Sequence, residues 1–278
     1  VLKFQNRAKD GLELSSRYIN ELGGQRLDIK ILHAYFLIRN NQFDSAKSEL
    51  ASLPTNMQEA PIVAGLYGQI LFSEQMYDAA LPKLRAAYQE KPEVMNTQYV
   101  YQTLRRIHGE QAADAFLDKH VQQNATDEIS GLVLANRLIS TNPEESIRLF
   151  TQVVELNPNN PIALNNLAYL QMQAGRMESA KQRAEQAVQL QPNNPDILDT
   201  IGLISLKVGD NEQALTYLSR AYEGMGDNFN DNIFVNYVEA LLVNGKSSLA
   251  KRKLEQTSVT NEETQKRLDA LKQRYLGG

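Results

Sequence analysis

Asn166, Thr200 and Asn236 recur 34 and 36 residues apart. Each offers a short amide or hydroxyl that can hydrogen-bond a peptide backbone. Tyr35, Tyr99 and Tyr169 add phenol rings, which supply broad contact area at interfaces for little lost side-chain freedom. This is recognition chemistry. The groups that bond-breaking needs are scattered. His33, His108 and His120 share no metal-ligand spacing, and His33 falls at an inward position of a helical pattern, which predicts a packing role. Glu144-Glu145 and Glu262-Glu263 stand beside helix starts, where acidic charge complements the macrodipole. Gly224-Met225-Gly226 lacks the preceding strand and following lysine motif of a phosphate loop. Lys251-Arg252-Lys253 reads as a solvated helix face. The sequence therefore predicts a non-enzymatic chain with no catalytic residue, no metal site and no cofactor.

Composition narrows the classes further. The 278 residues carry a net charge of -4 with acids and bases interspersed, which gives no broad field for DNA, RNA or anionic lipid. No apolar run approaches the ~18–20 residues that span a bilayer. The absence of cysteine excludes disulfides and thiolate chemistry and suits an oxidising compartment. The chain opens on Val1 in mid-pattern, so a targeting segment is expected upstream.

What positions the recognition residues is an internal period. Ala46 and Ala80 are 34 residues apart, as are Ala180 and Ala214, and Ala250 continues the series. Around each, the same amphipathic helix pair is written again. The cleanest unit runs from Pro161 to Asn194. Its first helix carries Leu164, Leu167, Ala168 and Gln171 on one face, and Gly175 supplies a left-handed helix end. The second helix places small Ala180, Ala184 and Ala187 where two helices approach, and Pro192 stops it. Asn41 stands where another unit would have its helix-ending glycine. Pro82 falls early in its helix, where it removes at most one hydrogen bond.

Leu164, Leu167, Ala168, Gly175, Ala180, Ala187 and Pro192 match the pattern of the tetratricopeptide repeat, which this unit resembles along its whole length. The resemblance implies an all-α fold, an alpha-alpha superhelix of seven helix pairs with units starting at 27, 61, 95, 127, 161, 195 and 231. The unit from 95 is one residue short in its middle. Residues 1–26 form a truncated N-terminal helical unit, with Asp10 to Leu22 as its helix, 27–260 the array, and 261–278 a solvating C-terminal cap helix. Gly224 to Asp231 is expected as a loop.

In tetratricopeptide proteins the face of each first helix opposite its partner helix lines a groove. By resemblance the groove here comprises Tyr35, Arg39, Gln69, Tyr99 and Arg106 in the early units. In the last three units it comprises Asn165, Asn166, Tyr169 and Gln173, then Asp199, Thr200 and Leu203, then Asn236 and Glu239. The Lys and Asn pairing of the clamp that binds chaperone tails is missing. The apolar stretch around Leu132, Ala135 and Leu138 is the alternative contact surface.

A narrower resemblance covers roughly residues 130 to 275, with Leu198-Asp-Thr-Ile-Gly202 as its most telling part. It is to the C-terminal end of bacterial repeat lipoproteins that accompany exopolysaccharide and exosortase (PEP-CTERM) systems. It implies a periplasmic or cell-envelope scaffold. The expected partner is a protein or extended peptide held in the groove, with oligomeric state left open and a cytoplasmic location as the alternative. Two other functions fit the same residues: a carbohydrate-binding element of a polysaccharide export machine, and the regulatory arm of a larger protein.

Overall fold

The computed structural model describes residues 2–21 and 26–277, and among them every regular element is a helix. The helices start where the backbone finds side-chain caps. Asn142, Asn160, Asn194, Asp210, Asn230 and Asn261 each accept a hydrogen bond from an N–H of the first turn they precede. Pro61, Pro143, Pro161 and Pro195 open their helices at a position whose N–H has no helical partner. Asn41 takes a left-handed φ of 60° at its turn, and Gln75 does the same at 63°.

The chain divides into two compact units, residues 1–130 and 131–278. In the first, α1 (Leu2–Glu21) packs on α2 (Leu27–Arg39), which pairs with α3 (Phe43–Ala51). Leu22, placed by the sequence at the end of α1, lies outside the described residues. A single turn, α4 (Thr55–Gln58), leads to the pair α5 (Pro61–Ser73) and α6 (Tyr77–Glu90). Pro82 sits inside α6. The segment that was one residue short forms α7 (Val94–Gln123), two helices that meet directly at Gly109, whose φ of 81° only glycine adopts freely. α8 (Glu128–Leu138) begins at the end of this unit.

The second unit stacks α9 (Pro143–Leu156), the pair α10 (Pro161–Gln173) and α11 (Met177–Leu190), the pair α12 (Pro195–Lys207) and α13 (Asn211–Gly224), the pair α14 (Asp231–Val243) and α15 (Ser247–Gln256), and α16 (Glu262–Leu276). Residues 225–230 link α13 to α14 irregularly, with Met225 turned inward.

The period is visible as burial. Ala46, Ala80, Ala180, Ala214 and Ala250 are all fully buried where two helices cross. Close approach is reinforced by Gly68 and Gly202, where an added Cβ would lie 2.7 Å and 2.5 Å from Leu84 and Leu218. Each first helix also buries a ridge, such as Leu164, Leu167 and Ala168 in α10. What remains of each first helix is the stripe that the sequence assigned to the groove.

Candidate functional site

In the second unit this stripe borders a polar cleft of about 600 Å³. Asn165, Asn166 and Tyr169 come from α10, Asp199, Thr200 and Leu203 from α12, and Asn236 from α14. Seven residues singled out in the sequence are thus brought together. Gln173 is exposed and does not line the cleft, while Glu239 is engaged beside it. Helical spacing explains the convergence, since equivalent residues of stacked first helices lie one above another.

The side chains are less free than a bare ladder would be. Thr200 is buried and its hydroxyl donates to the Asp196 carbonyl of its own helix at 3.1 Å. Asn166 donates from Nδ2 to Asn136 Oδ1 at 2.8 Å. Asn236, only 1 % exposed, donates to Asp199 Oδ1 at 2.7 Å. Its own Oδ1 accepts from Arg267 Nη1 at 2.6 Å, and Arg267 also pairs with Glu239. Groups open to the cleft include Tyr169, Asp196 and Glu263, all exposed, and Asp199 Oδ2, to which no hydrogen bond runs among the described residues. Asn165 Oδ1 is buried without a hydrogen-bond donor among the described residues.

Burial pushes the Asp199 carboxyl up to about 6. The Asn236 bond and the Arg267 charge pull it down, and Asp196 adds to the rise. A desolvated carboxylate in a cleft is the kind of group that binding sites hold in readiness.

Arg267, Thr264 and Asn232 also line the cleft, and the sequence reading had missed them. The signal was present. Asn261 caps α16 as Asn160, Asn194 and Asn230 cap α10, α12 and α14. Counting from those caps, Arg267 occupies the place of Asn166, Thr200 and Asn236. Leu268 and Leu271 are buried in the same register. Helix α16 thus has the register of the first helix of a repeat.

In the first unit two of the early groove residues, Tyr99 and Tyr35, take part in aromatic pairs. Tyr99 packs edge-on against Phe72 at 5.5 Å, and Tyr35 against Phe36 at 5.2 Å. Burial raises the Tyr99 phenol, with Arg39 acting against that rise by charge and hydrogen bond. Gln69 is 4 % exposed with Oε1 unsatisfied, and Arg106 is exposed. Of the apolar alternative, Ala135 is fully buried, and Leu132 and Leu138 are half-buried.

The histidines take separate roles. His33 approaches Ser16 at 3.1 Å and Glu49 at 3.7 Å, and His108 is exposed. His120 is fully buried, with Tyr88 Oη 3.0 Å from Nδ1 and Asp127 Oδ2 2.9 Å from Nε2. The Ser130 hydroxyl donates to Asp127 and not to the imidazole, so this is not a nucleophile-activating chain. Among the described residues no three His, Cys, Asp or Glu side chains group as metal ligands, and no helix is long and apolar enough to cross a membrane.

Residues 138–202, from the end of α8 into α12, match the family model described as tetratricopeptide repeat. Over this stretch the chain carries the tetratricopeptide repeat. Similar solved structures include the C-terminal part of a TPR repeat-containing protein from Cytophaga hutchinsonii. It is 14% identical, with 86% of this chain and 99% of that one covered and a TM-score of 0.62. For pilF of Pseudomonas aeruginosa the values are 17%, 80%, 94% and 0.55. For a MamA structure from Desulfovibrio magneticus they are 15%, 62%, 98% and 0.51. At such identities the likeness is one of fold. No curated protein sequence matches the chain. Arrays of tetratricopeptide repeats are scaffolds for protein–protein interaction.

Proposed function

We propose that the tetratricopeptide array holds an extended segment of a protein partner in the cleft of the second unit, as a non-enzymatic assembly scaffold. The observation that carries this is the convergence of first-helix side chains from successive repeats on one polar cleft, with Tyr169 exposed on its wall. The resemblance of residues 130 to 275 to envelope repeat lipoproteins supports a periplasmic or cell-envelope setting related to exopolysaccharide assembly. The lack of cysteine is compatible with it.

The experiment uses a photo-crosslinking residue at Tyr169 in the full-length protein expressed in its native host. A protein crosslinked there, and lost in an Asn165→Ala, Tyr169→Ala variant that melts normally, supports the reading. Full retention of the partner by that variant moves the site elsewhere. Binding to a glycan array, lost in the same variant, would establish the carbohydrate alternative instead. An alkaline phosphatase fusion to the full reading frame tests the setting, and an inactive fusion argues for the cytoplasm.

A further inference from the structure

Asp199 stands in the cleft with half of its carboxylate engaged. Oδ1 accepts from Asn236, and among the described residues no donor reaches Oδ2. On the same wall, Asn165 Oδ1 also lacks a donor. The Asp199 side chain is half-buried, and its partial loss of water is why burial raises its carboxyl to about 6. A desolvated, half-bonded carboxylate is stabilised most by a cation.

One repeat further along, the protein shows the completed arrangement. Arg267 seats its guanidinium between the Asn236 amide and the Glu239 carboxylate, bonding both. An amide and a carboxylate from a first helix thus already hold a guanidinium on this stripe. In the cleft, Asp199 of α12 and Asn165 of α10 offer a carboxylate oxygen and an amide oxygen to which no guanidinium is hydrogen-bonded among the described residues, Arg267 acting on Asp199 by charge alone. Charge agrees. Asp196 and Glu263 line the cleft together with Asp199, and the cation there, Arg267, is itself paired with Glu239.

We infer that the cleft takes a lysine or arginine side chain of the bound segment, its cationic head on Asp199 Oδ2 and its stem against Tyr169. This rests on reading the cleft as a peptide site. A long cationic side chain suits the wall chemically, because its methylene stem packs on apolar surface while its head seeks a carboxylate, and a tyrosine face attracts the charge as well.

The test uses short, N-acetylated, fluorescein-labelled peptide pools, randomised among uncharged residues around one fixed central residue. Arg, Lys, Gln and Glu pools are titrated against the full chain by fluorescence polarisation at neutral pH. The Arg and Lys pools are expected to bind about tenfold more tightly than the Gln pool. In Asp199→Asn, which keeps an acceptor for Asn236, the Arg, Lys and Gln pools should bind with equal affinity. Lowering the pH through about 6 should weaken the Arg pool in the wild-type chain only. The titratable groups facing the site are Asp196 from α12, Glu239 from α14, Glu263 and Arg267 from α16, and Tyr169 from α10. Equal binding of the Arg, Gln and Glu pools, or a preference that survives Asp199→Asn, overturns the assignment and leaves the peptide site standing. Failure of every pool to bind overturns both.

Discussion

Ser146 Oγ donates to the Ala135 carbonyl across 2.7 Å, and both residues are fully buried. Ser146 stands 34 residues before Ala180, at the crossing point where other repeats have alanine. A hydroxyl is accommodated there because a carbonyl of the facing helix lies within reach. A buried hydroxyl without such an acceptor would destabilise the crossing.

Ser146→Ala is expected to lower stability by about 0.5–1 kcal/mol, the net worth of one such hydrogen bond. Ser146→Leu should cost about 1–3 kcal/mol more, through overpacking. Urea titration followed by helicity measures both. Equal midpoints for the two variants would show that the crossing is looser than its burial indicates.

Gly202 sets two preferences against each other. In a helix interior alanine outranks glycine by about 1 kcal/mol. Yet a Cβ at Gly202 would lie 2.5 Å from Leu218 Cγ, on a fully buried side chain. Packing should win, so Gly202→Ala is expected to lose about 1–2 kcal/mol net. A rise in the urea midpoint would show that α12 and α13 can part without penalty.

Period and fold were legible because each repeat must bury its own ridge and crossing alanine. That requirement writes Ala180 and Leu167 into the sequence at fixed spacing. Asn160, Asn194 and Asn230 stand at helix starts for a different reason, because first-turn N–H groups need acceptors. The cleft was only half legible. Residues at the groove positions obey no packing rule, so the sequence named Asn166, Thr200 and Asn236 without showing that each already had a partner. Arg267 was not legible as a groove residue because its helix follows a 31-residue step, out of phase with the 34-residue period. The unit from 95 was legible as one residue short, but not the junction at Gly109 that results. The missing residue brings two helices into direct junction there.

Asp199 should make stability depend on pH in an unusual direction. Its carboxyl titrates near 6 in the folded chain and near 4 when unfolded. The folded state therefore holds the proton more tightly, and its stability falls as pH rises from about 4 through about 6. Asp199→Asn should remove this slope and be more stable than wild type above pH 7, by about 1–3 kcal/mol. Melting temperatures across that range decide it. A variant with an unchanged slope would place the titration elsewhere.

Asp127 should behave in the opposite way. Burial works to raise its carboxyl, but the Ser130 backbone and hydroxyl, together with His120, hold it below the usual carboxylate range. Its contribution is present above the unfolded value near 4 and is lost as pH falls through the folded value. Asp127→Asn is expected to destabilise the first unit by about 1–3 kcal/mol at neutral pH, because Ser130 and His120 lose a charged acceptor. It should also soften acid unfolding. Identical acid midpoints for variant and wild type would assign that transition to other carboxylates.

Arg267 bonds two residues of the helix pair before its own, and Asn236 reaches back in the same way to Asp199. Asn236 and Arg267 are therefore held jointly by neighbouring repeats, whereas Thr200 bonds within its own helix. Duplication or exchange of one 34-residue cassette, the usual route by which repeat genes diversify, would sever such a bond at each junction. The smallest transplantable piece of the surface is two successive first helices together with the second helix between them.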